Sequence, residues 1–499
     1  MSSTRPTPGS TPPPARCPAR ARAVPLYRDA RRPDHARLWE ELRARFGAVA
    51  PVEITPGVPG WLLLGYHENL DVLRDPSRFS ADPGRSLGAG PSWGGVLAVE
   101  GERHRRLRAP IVEGLAAAGG RRLSSGIRRL AGKLVDGFAA EGHADLIASY
   151  AAPLPAMVLN LLFGLGDEYG ELLAALTSAR DDGDAATAER AAADVRRYVA
   201  ALVERRRADP GDDFVSRLLA HPAGLADGEA AAELLLLLNA GLEPTTHLIG
   251  NALRLLLTGS ETAEAYRGAA LPAVDFLDYV MWVDPPLQTL AGRYPTHDVR
   301  IGGVEIKEGE PLFLGFAPAH ADPATRRGGR GDVDAFAGNR AHLMWGAGPH
   351  GCPAQALACE ITLTAIDVLL DRLDGLALER GAGELRWRAS LSVHGLVRLP
   401  VRFAAEPGPA AETRPVREKG ARRVLPASQR RPRARGARYG APGGAGDAAP
   451  GEPVRHVRAK TPRRLRATGA RYGAPARQEA RPADPLESLL ARWGRDGRA

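Results

Sequence analysis

The chain of 499 residues is 44% apolar, enough for a sizeable core in one large domain or two to three ordinary ones. Its three cysteines, Cys17, Cys352 and Cys359, exclude a disulfide framework and fit a reducing cytoplasm, and its Pro/Arg-rich start lacks the apolar segment of a secretory signal. The net charge of +9 belongs to the tail: 22 basic and 9 acidic residues from Glu406 onward give about +13 and leave about −4 for the rest.

In chain order, residues 1–22 are low in complexity and are expected to be disordered. A folded, mainly α domain is expected over 23–405. Two short β runs, 51–54 and 61–65, flank a Pro/Gly turn and predict a hairpin. Apolar periodicity predicts helices over 102–115, 126–140, 188–206, 230–257, 273–283 and 354–373, with short strands at 292–294, 299–301, 304–306 and 396–403. The longest apolar stretch, Leu234 to Leu238, is cut short by Asn239 and Glu243 and cannot span a membrane. Residues 406–499 are rich in Arg, Pro, Gly and Ala and repeat Gly-Ala-Arg-Tyr-Gly-Ala-Pro at 436–442 and 469–475. Such a tail buries too little apolar surface to offset its ordering entropy, so it is expected to be disordered, apart from a short amphipathic helix over 485–493.

One segment carries more chemistry than any other. Trp345-Gly-Ala-Gly348-Pro-His350-Gly-Cys352 sets a cysteine on a glycine-rich turn just before an Ala/Leu-rich helix. Backbone N–H groups and the helix dipole stabilise a thiolate there, and small residues leave room for a large flat group. The spacing resembles the haem-ligand loop of the cytochromes P450, Phe-x-x-Gly-x-His-x-Cys, with Trp345 in place of the Phe. The resemblance implies a P450 fold of one large helical domain with small sheets, haem b as cofactor, and Cys352 as the thiolate ligand of its iron. Such a thiolate pushes electron density toward bound oxygen and favours O–O cleavage.

Other motifs agree with that resemblance, which is to soluble bacterial, actinobacterial-type members and covers about 380 residues. His104 and Arg108 lie four apart on one helical face, placed as two cations for the haem propionates; His350 and Arg293 align with two further propionate partners. Residues 234–257 look like the family's long distal helix. Within it, Ala240 and Gly241 are small enough to approach a porphyrin. The family relays protons through an acid and a following threonine. Here Glu243 is the acid, Pro244 takes the usual threonine place, and Thr245 follows roughly 100° further round the helix. Proline also removes the partner of the Ala240 carbonyl and predicts a kink. Proton delivery is therefore expected through water held by Glu243 and that carbonyl.

A second departure is larger. The family's Glu-x-x-Arg before an aromatic-x-Pro-Pro stretch is missing: ahead of Asp284-Pro285-Pro286, Tyr279 stands at the Glu place and Trp282 at the Arg place. Asp278, one residue early, does not restore the spacing, and a Tyr/Trp pair is expected to lock the region by packing. Cys359, seven residues past Cys352, reads as core.

The resemblance implies a monooxygenase that inserts one oxygen atom from O2 into a small, largely apolar substrate. Electrons would come from NAD(P)H through a separate ferredoxin or flavodoxin, since neither a Walker A motif nor a complete dinucleotide fingerprint is present. The substrate pocket is expected from residues 80–99, 160–200, the helix near 236–240 and the strand near Leu290. A monomer is expected, without membrane attachment. The alternative is a P450-fold haem binder with little catalysis. Other readings are weaker. Gly90-Pro-Ser92-Trp-Gly94 matches a nucleophile elbow but lacks the preceding strand and following helix. No second close ligand pair makes a zinc site of His350 and Cys352. The basic tail with Tyr439 and Tyr472 reads as a solvated extension rather than a nucleic-acid surface.

Overall fold

A computed structural model describes residues 23–406, except 31, 33, 88–93, 183 and 326–332, together with 484–496. These fall in one compact unit, Met1–Gly408 with Ala483–Ala499; a second unit, Pro409–Pro482, lies outside the described residues, as do the start 1–22, both heptamer copies and most of the Gly90–Gly94 motif.

The helices in order are α1 His35–Phe46, α2 Tyr66–Arg74, α3 Gly101–Ala118, α4 Arg121–Asp136, α5 Pro153–Leu162, α6 Asp167–Asp182, α7 Ala185–Ala208, α8 Phe214–Ala220, α9 Asp227–Thr258, α10 Ser260–Arg267, α11 Ala273–Val283, α12 Phe316–His320, α13 Val333–Phe336, α14 Gln355–Arg372 and α15 Pro485–Asp496. The strands are β1 Val49–Thr55, β2 Val58–Leu63, β3 Phe79–Ser80, β4 His143–Asp145, β5 Thr289–Pro295, β6 Val299–Ile301, β7 Val304–Ile306, β8 Leu312–Gly315, β9 Ala377–Leu378 and β10 Pro400–Arg402. They form a five-stranded sheet in the order β1-β2-β8-β5-β3, a three-stranded sheet β4-β10-β9, and the hairpin β6-β7.

Local chemistry explains the ends. Asp34 and Asp184 cap α1 and α7 by accepting the N–H groups of Arg37 and Thr187, and Arg205, Arg206 and Arg207 close α7 where its dipole favours cations. In α4, Leu123, Ile127, Leu130 and Ala131 recur at three- and four-residue spacing and form its buried stripe. The 32-residue α9 runs between two cores. Its first half packs with α5 to α8 and its second half with α4, α11 and α14. The helix continues through Pro244, so the expected kink does not interrupt it.

The hairpin and the six expected helices form, within a few residues of their expected ends. Among the elements that the sequence does not reveal are α1, α2, α5, α8 and β8. All four residues of β8 are buried, pairing parallel to β2 and antiparallel to β5, so no alternation marked it. The apolar, proline-containing run Pro-Leu-Pro-Ala-Met-Val-Leu of α5 has no polar face to reveal a period. Among the described residues no helix is long and apolar enough to cross a membrane.

The C-terminal amphipathic helix does form, as α15. It packs on α6 and α7, with Leu486 and Leu489 buried in their core, while Arg205 of α7 meets Asp484 at 2.6 Å and Glu487 at 3.5 Å.

Candidate functional site

The loop before α14 is closed by its own backbone: Cys352 N–H donates to the Trp345 carbonyl at 2.7 Å and Gly346 N–H to the Leu343 carbonyl at 2.8 Å. Gly346 and Gly348 both hold a φ of 67°, the region glycine favours. At Gly348 a Cβ would strike the Leu73 carbonyl oxygen, so this glycine lets the loop lie on α2. It does not line the cavity beyond.

Cys352 is exposed to a largely apolar cavity that it helps to line. Burial pushes the thiol's pKa up; the Ala354 N–H and the Arg108 charge oppose that. Ala240, Gly241, Pro244 and Thr245 of α9 line the same cavity, with Leu97, Leu290 and Ala81. Only leucine Cδ1 of Leu159, at 3.4 Å, would meet a Cβ on Gly241, so protein packing alone does not demand glycine there. The expected contribution of 160–200 is not found: no residue of α6 or α7 lines this space.

Two arginines and two histidines gather at one side. Arg293 and His350 line the cavity, and His104 and Arg108 line an adjoining cleft that opens to the surface. The His104 and His350 rings stand 4.3 Å apart. Arg108 donates to the Gly351 carbonyl, and Arg293 to the Gly292 carbonyl at 2.8 Å. Burial lowers the pKa of both arginines. It also pushes His104 down to about 4, helped by the charges of His350 and Arg108. An acid stands among them: Glu100 accepts from Ala81 N–H at 2.7 Å and meets His350 Nε2 at 3.2 Å. Burial works against its ionisation, but His350, the Ala81 N–H and Arg293 outweigh that and hold it below the usual carboxylate range. Two buried ring nitrogens, His104 Nε2 and His350 Nδ1, have no hydrogen-bond partner. Buried polar atoms are rarely left so. An exposed thiol in an apolar cavity, with two arginines and two unpartnered histidine ring nitrogens beside it, fits a large group that is apolar in its body and carries acidic arms. Glu100 escaped sequence reading because a lone acid ahead of a basic helix carries no spacing signal.

The relay pair is divided. Thr245 lines the cavity of Cys352, but Glu243 does not. Glu243 lines a second cavity, with about 970 Å³ of empty space, together with His247, Thr246, Thr177, Ser178 and Arg388. His247, 3% exposed, sits 3.7 Å from Glu243, too far for a hydrogen bond but close enough to hold that carboxyl below its ordinary range. His247 went unnoticed in the sequence, where it is one polar residue on a buried helix.

At the missing Glu-x-x-Arg, the expected packing lock is only part of what is found. Trp282 Nε1–H donates to the Asn339 carbonyl at 2.7 Å, and its ring lies against His320 and Phe336, with centroids at 4.7 and 5.5 Å. Asp278, set aside on spacing, meets His342 Nε2 at 3.3 Å. Cys359 is half-buried against the core, as expected.

No family model matches the chain. Among curated proteins it is 30% identical over 384 residues to cytochrome P450 107B1 of Saccharopolyspora erythraea, covering 73% of this chain and 94% of that one. It is 32% identical over 382 residues to mycinamicin IV hydroxylase/epoxidase of Micromonospora griseorubida, covering 72% and 95%. Among solved structures, CYP154C4 from a Streptomyces species superposes with a TM-score of 0.69 at 28% identity, covering 76% of this chain and 98% of that one. CYP154A1 from Streptomyces coelicolor gives 0.64 at 27% identity, covering 74% and 98%.

Proposed function

The chain belongs to the cytochrome P450 family and is a cytochrome P450 monooxygenase; from that premise we propose that it holds haem b through the Cys352 thiolate and inserts one oxygen atom from O2 into a small, largely apolar organic substrate. The observation that carries this reading is the exposed Cys352 in an apolar cavity, beside two arginines and two histidines, each histidine with an unpartnered buried ring nitrogen. Haem, when bound, supplies an iron centre at which dioxygen is activated.

The residues of this chain do the rest. The Cys352 thiolate is the metal ligand. Arg293, His350, His104 and Arg108 bind the two carboxylate arms by charge-assisted hydrogen bonds. Ala240 and Gly241 leave the distal wall low, and Leu97, Leu290 and Ala81 exclude water from an apolar substrate. Glu243, its pKa held down by His247, takes protons from water in its own cavity. Because Pro244 has no N–H, the Ala240 carbonyl is open to hold a water on the way in. Thr245 lines the receiving cavity. Electrons originate in NAD(P)H and arrive from a separate ferredoxin or flavodoxin; steering by charge makes that step fall with added salt. Residues 23–405 are the catalytic domain, acting as a monomer in the cytoplasm.

The test uses the full chain expressed with ample iron and porphyrin precursor. The reduced protein under carbon monoxide is expected to give the red-shifted band of a thiolate-bound haem, and Cys352→Ala to abolish it. A colourless wild type, or a band that survives Cys352→Ala, overturns the reading. Incorporation of labelled O2 into product, with surrogate electron donors, then checks the oxygen source.

A further inference from the structure

Resting on the haem-thiolate reading of Cys352, we propose that Asp278 and Trp282 are positioning residues that together replace the missing Glu-x-x-Arg pair and fix the segment leading to Cys352. The replacement works by widening the spacing from three to four. Positions four apart on α11 share a face, and both side chains reach the same short segment, 339–343. Trp282, at the arginine place, supplies an N–H to the Asn339 carbonyl at 2.7 Å. Asp278, a residue ahead of the glutamate place, receives His342 Nε2 at 3.3 Å. Burial lowers the pKa of His342, and the Asp278 side chain beside it works against that. From α12, His320 accepts the Leu343 N–H at 2.8 Å.

The grip then passes to the cysteine through few covalent steps. Leu343 O receives Gly346 N–H, Trp345 O receives Cys352 N–H, and the Trp345 ring stands edge-on to His342 with centroids 6.4 Å apart. A merely packed aromatic pair would not need the indole N–H, and a merely structural core would not place a carboxylate, 5% exposed, against a buried histidine.

The experiment measures hydrogen exchange on the full chain, haem-loaded and haem-stripped, and the rate at which haem leaves for apomyoglobin. In the unmodified protein the Trp282 indole N–H and the Leu343 amide should exchange slowly. Trp282→Phe, which keeps the ring and loses the donor, should raise exchange over 339–343 and the haem-loss rate roughly five- to tenfold, the worth of one such bond. Asp278→Ala should do likewise and Asp278→Asn, still an acceptor for His342, should restore most of it. Leu277→Ala, which empties core space on another face of α11, should lower the melting temperature without singling out 339–343. Fast exchange of both wild-type protons overturns the proposal even if every variant misfolds. So does Trp282→Phe with unchanged exchange and haem loss. In either case an intact thiolate carbonyl band in the wild type leaves the haem reading standing, whereas a wild type lacking that band fails the haem reading while the haem-stripped exchange still reports on the grip.

Discussion

The two helices that flank the cavity both depart from the family's sequence pattern, and they absorb the departure differently. On α11 the missing pair is made good by neighbours: Asp278 and Trp282 make contacts to 339–343. On α9 the place of the threonine is taken by Pro244, and no neighbour restores a hydroxyl there. Thr245 stays on the cavity of Cys352 while Glu243 and His247 open to the other. Holding a loop in place needs only a donor, an acceptor and a ring within reach, so the task can move one residue along a helix. Carrying a proton needs an oxygen at a particular point, so its loss reroutes the path instead.

Substitution at Pro244 strains that contrast most. Proline inside a helix costs roughly 3 kcal/mol, through the lost hydrogen bond and the clash with the preceding turn. Pro244→Ala is expected to recover a large part of it, read as a rise in the denaturant midpoint, while returning an N–H to the Ala240 carbonyl. If that carbonyl holds the relay water, the same variant should lose coupling, measured as peroxide released per NAD(P)H consumed. Pro244→Thr should gain similar stability but keep coupling, because it trades the carbonyl for a hydroxyl. Equal peroxide leak in wild type and Pro244→Ala would mean that α9, like α11, tolerates the change through its neighbours.

The α11 side has its own lever in pH. Burial pushes His320 down to about 3, with His342 adding to the effect, and its Nε2 accepts from Leu343. An unfolded chain takes up that proton near pH 6.5, whereas the folded chain resists until near pH 3. The contribution is therefore whole above pH 6.5 and is lost as pH falls through the window between the two values. From pH 6.5 to 5 the loss from this one group is about 2 kcal/mol. Denaturant midpoints at pH 7 and pH 5 should differ more in wild type than in His320→Gln. Identical slopes would remove His320 from the grip on 339–343.

What could be read from the chain beforehand follows the same division. Cys352, Arg293, His350 and the His104/Arg108 pair were legible because each sits at a fixed offset inside a motif, and the structure brings all of them to one side of one cavity or its adjoining cleft. The helices α3, α4, α7, α9, α11 and α14 were legible because a half-buried helix writes its period into the sequence. Glu100 and His342 were not, since their partners are distant in sequence: 250 residues separate Glu100 from His350 and 64 separate Asp278 from His342. Asp278 is not legible as a partner because spacing along one helix does not show the loop it faces. Gly348 and Glu243 sit where expected in the chain, but they face Leu73 and a second cavity rather than the space around Cys352.

The mildest perturbation tests whether the two sides are mechanically separate. Arg205 on α7 joins three helices: it lies over the Tyr169 ring of α6, 5.3 Å from its centroid, and pairs with Asp484 and Glu487 at the start of α15. α6 in turn lines the Glu243 cavity through Thr177 and Ser178. Arg205 and Asp484 are each about a quarter exposed, at 23% and 25%, so the pair contributes no more than about 1 kcal/mol. Leu486 and Leu489, buried in the core of α6 and α7, keep α15 docked without it. Arg205→Ala is expected to raise hydrogen exchange several-fold over 484–496 and modestly in α6, with a small drop in global stability and no change over 339–343. Because α6 meets the distal helix and not α11, loosening should stop at α9. Faster exchange at 339–343 in this variant would show that the two flanks of the cavity move as one body, and that the grip of α11 on the Cys352 loop depends on the far side of the molecule.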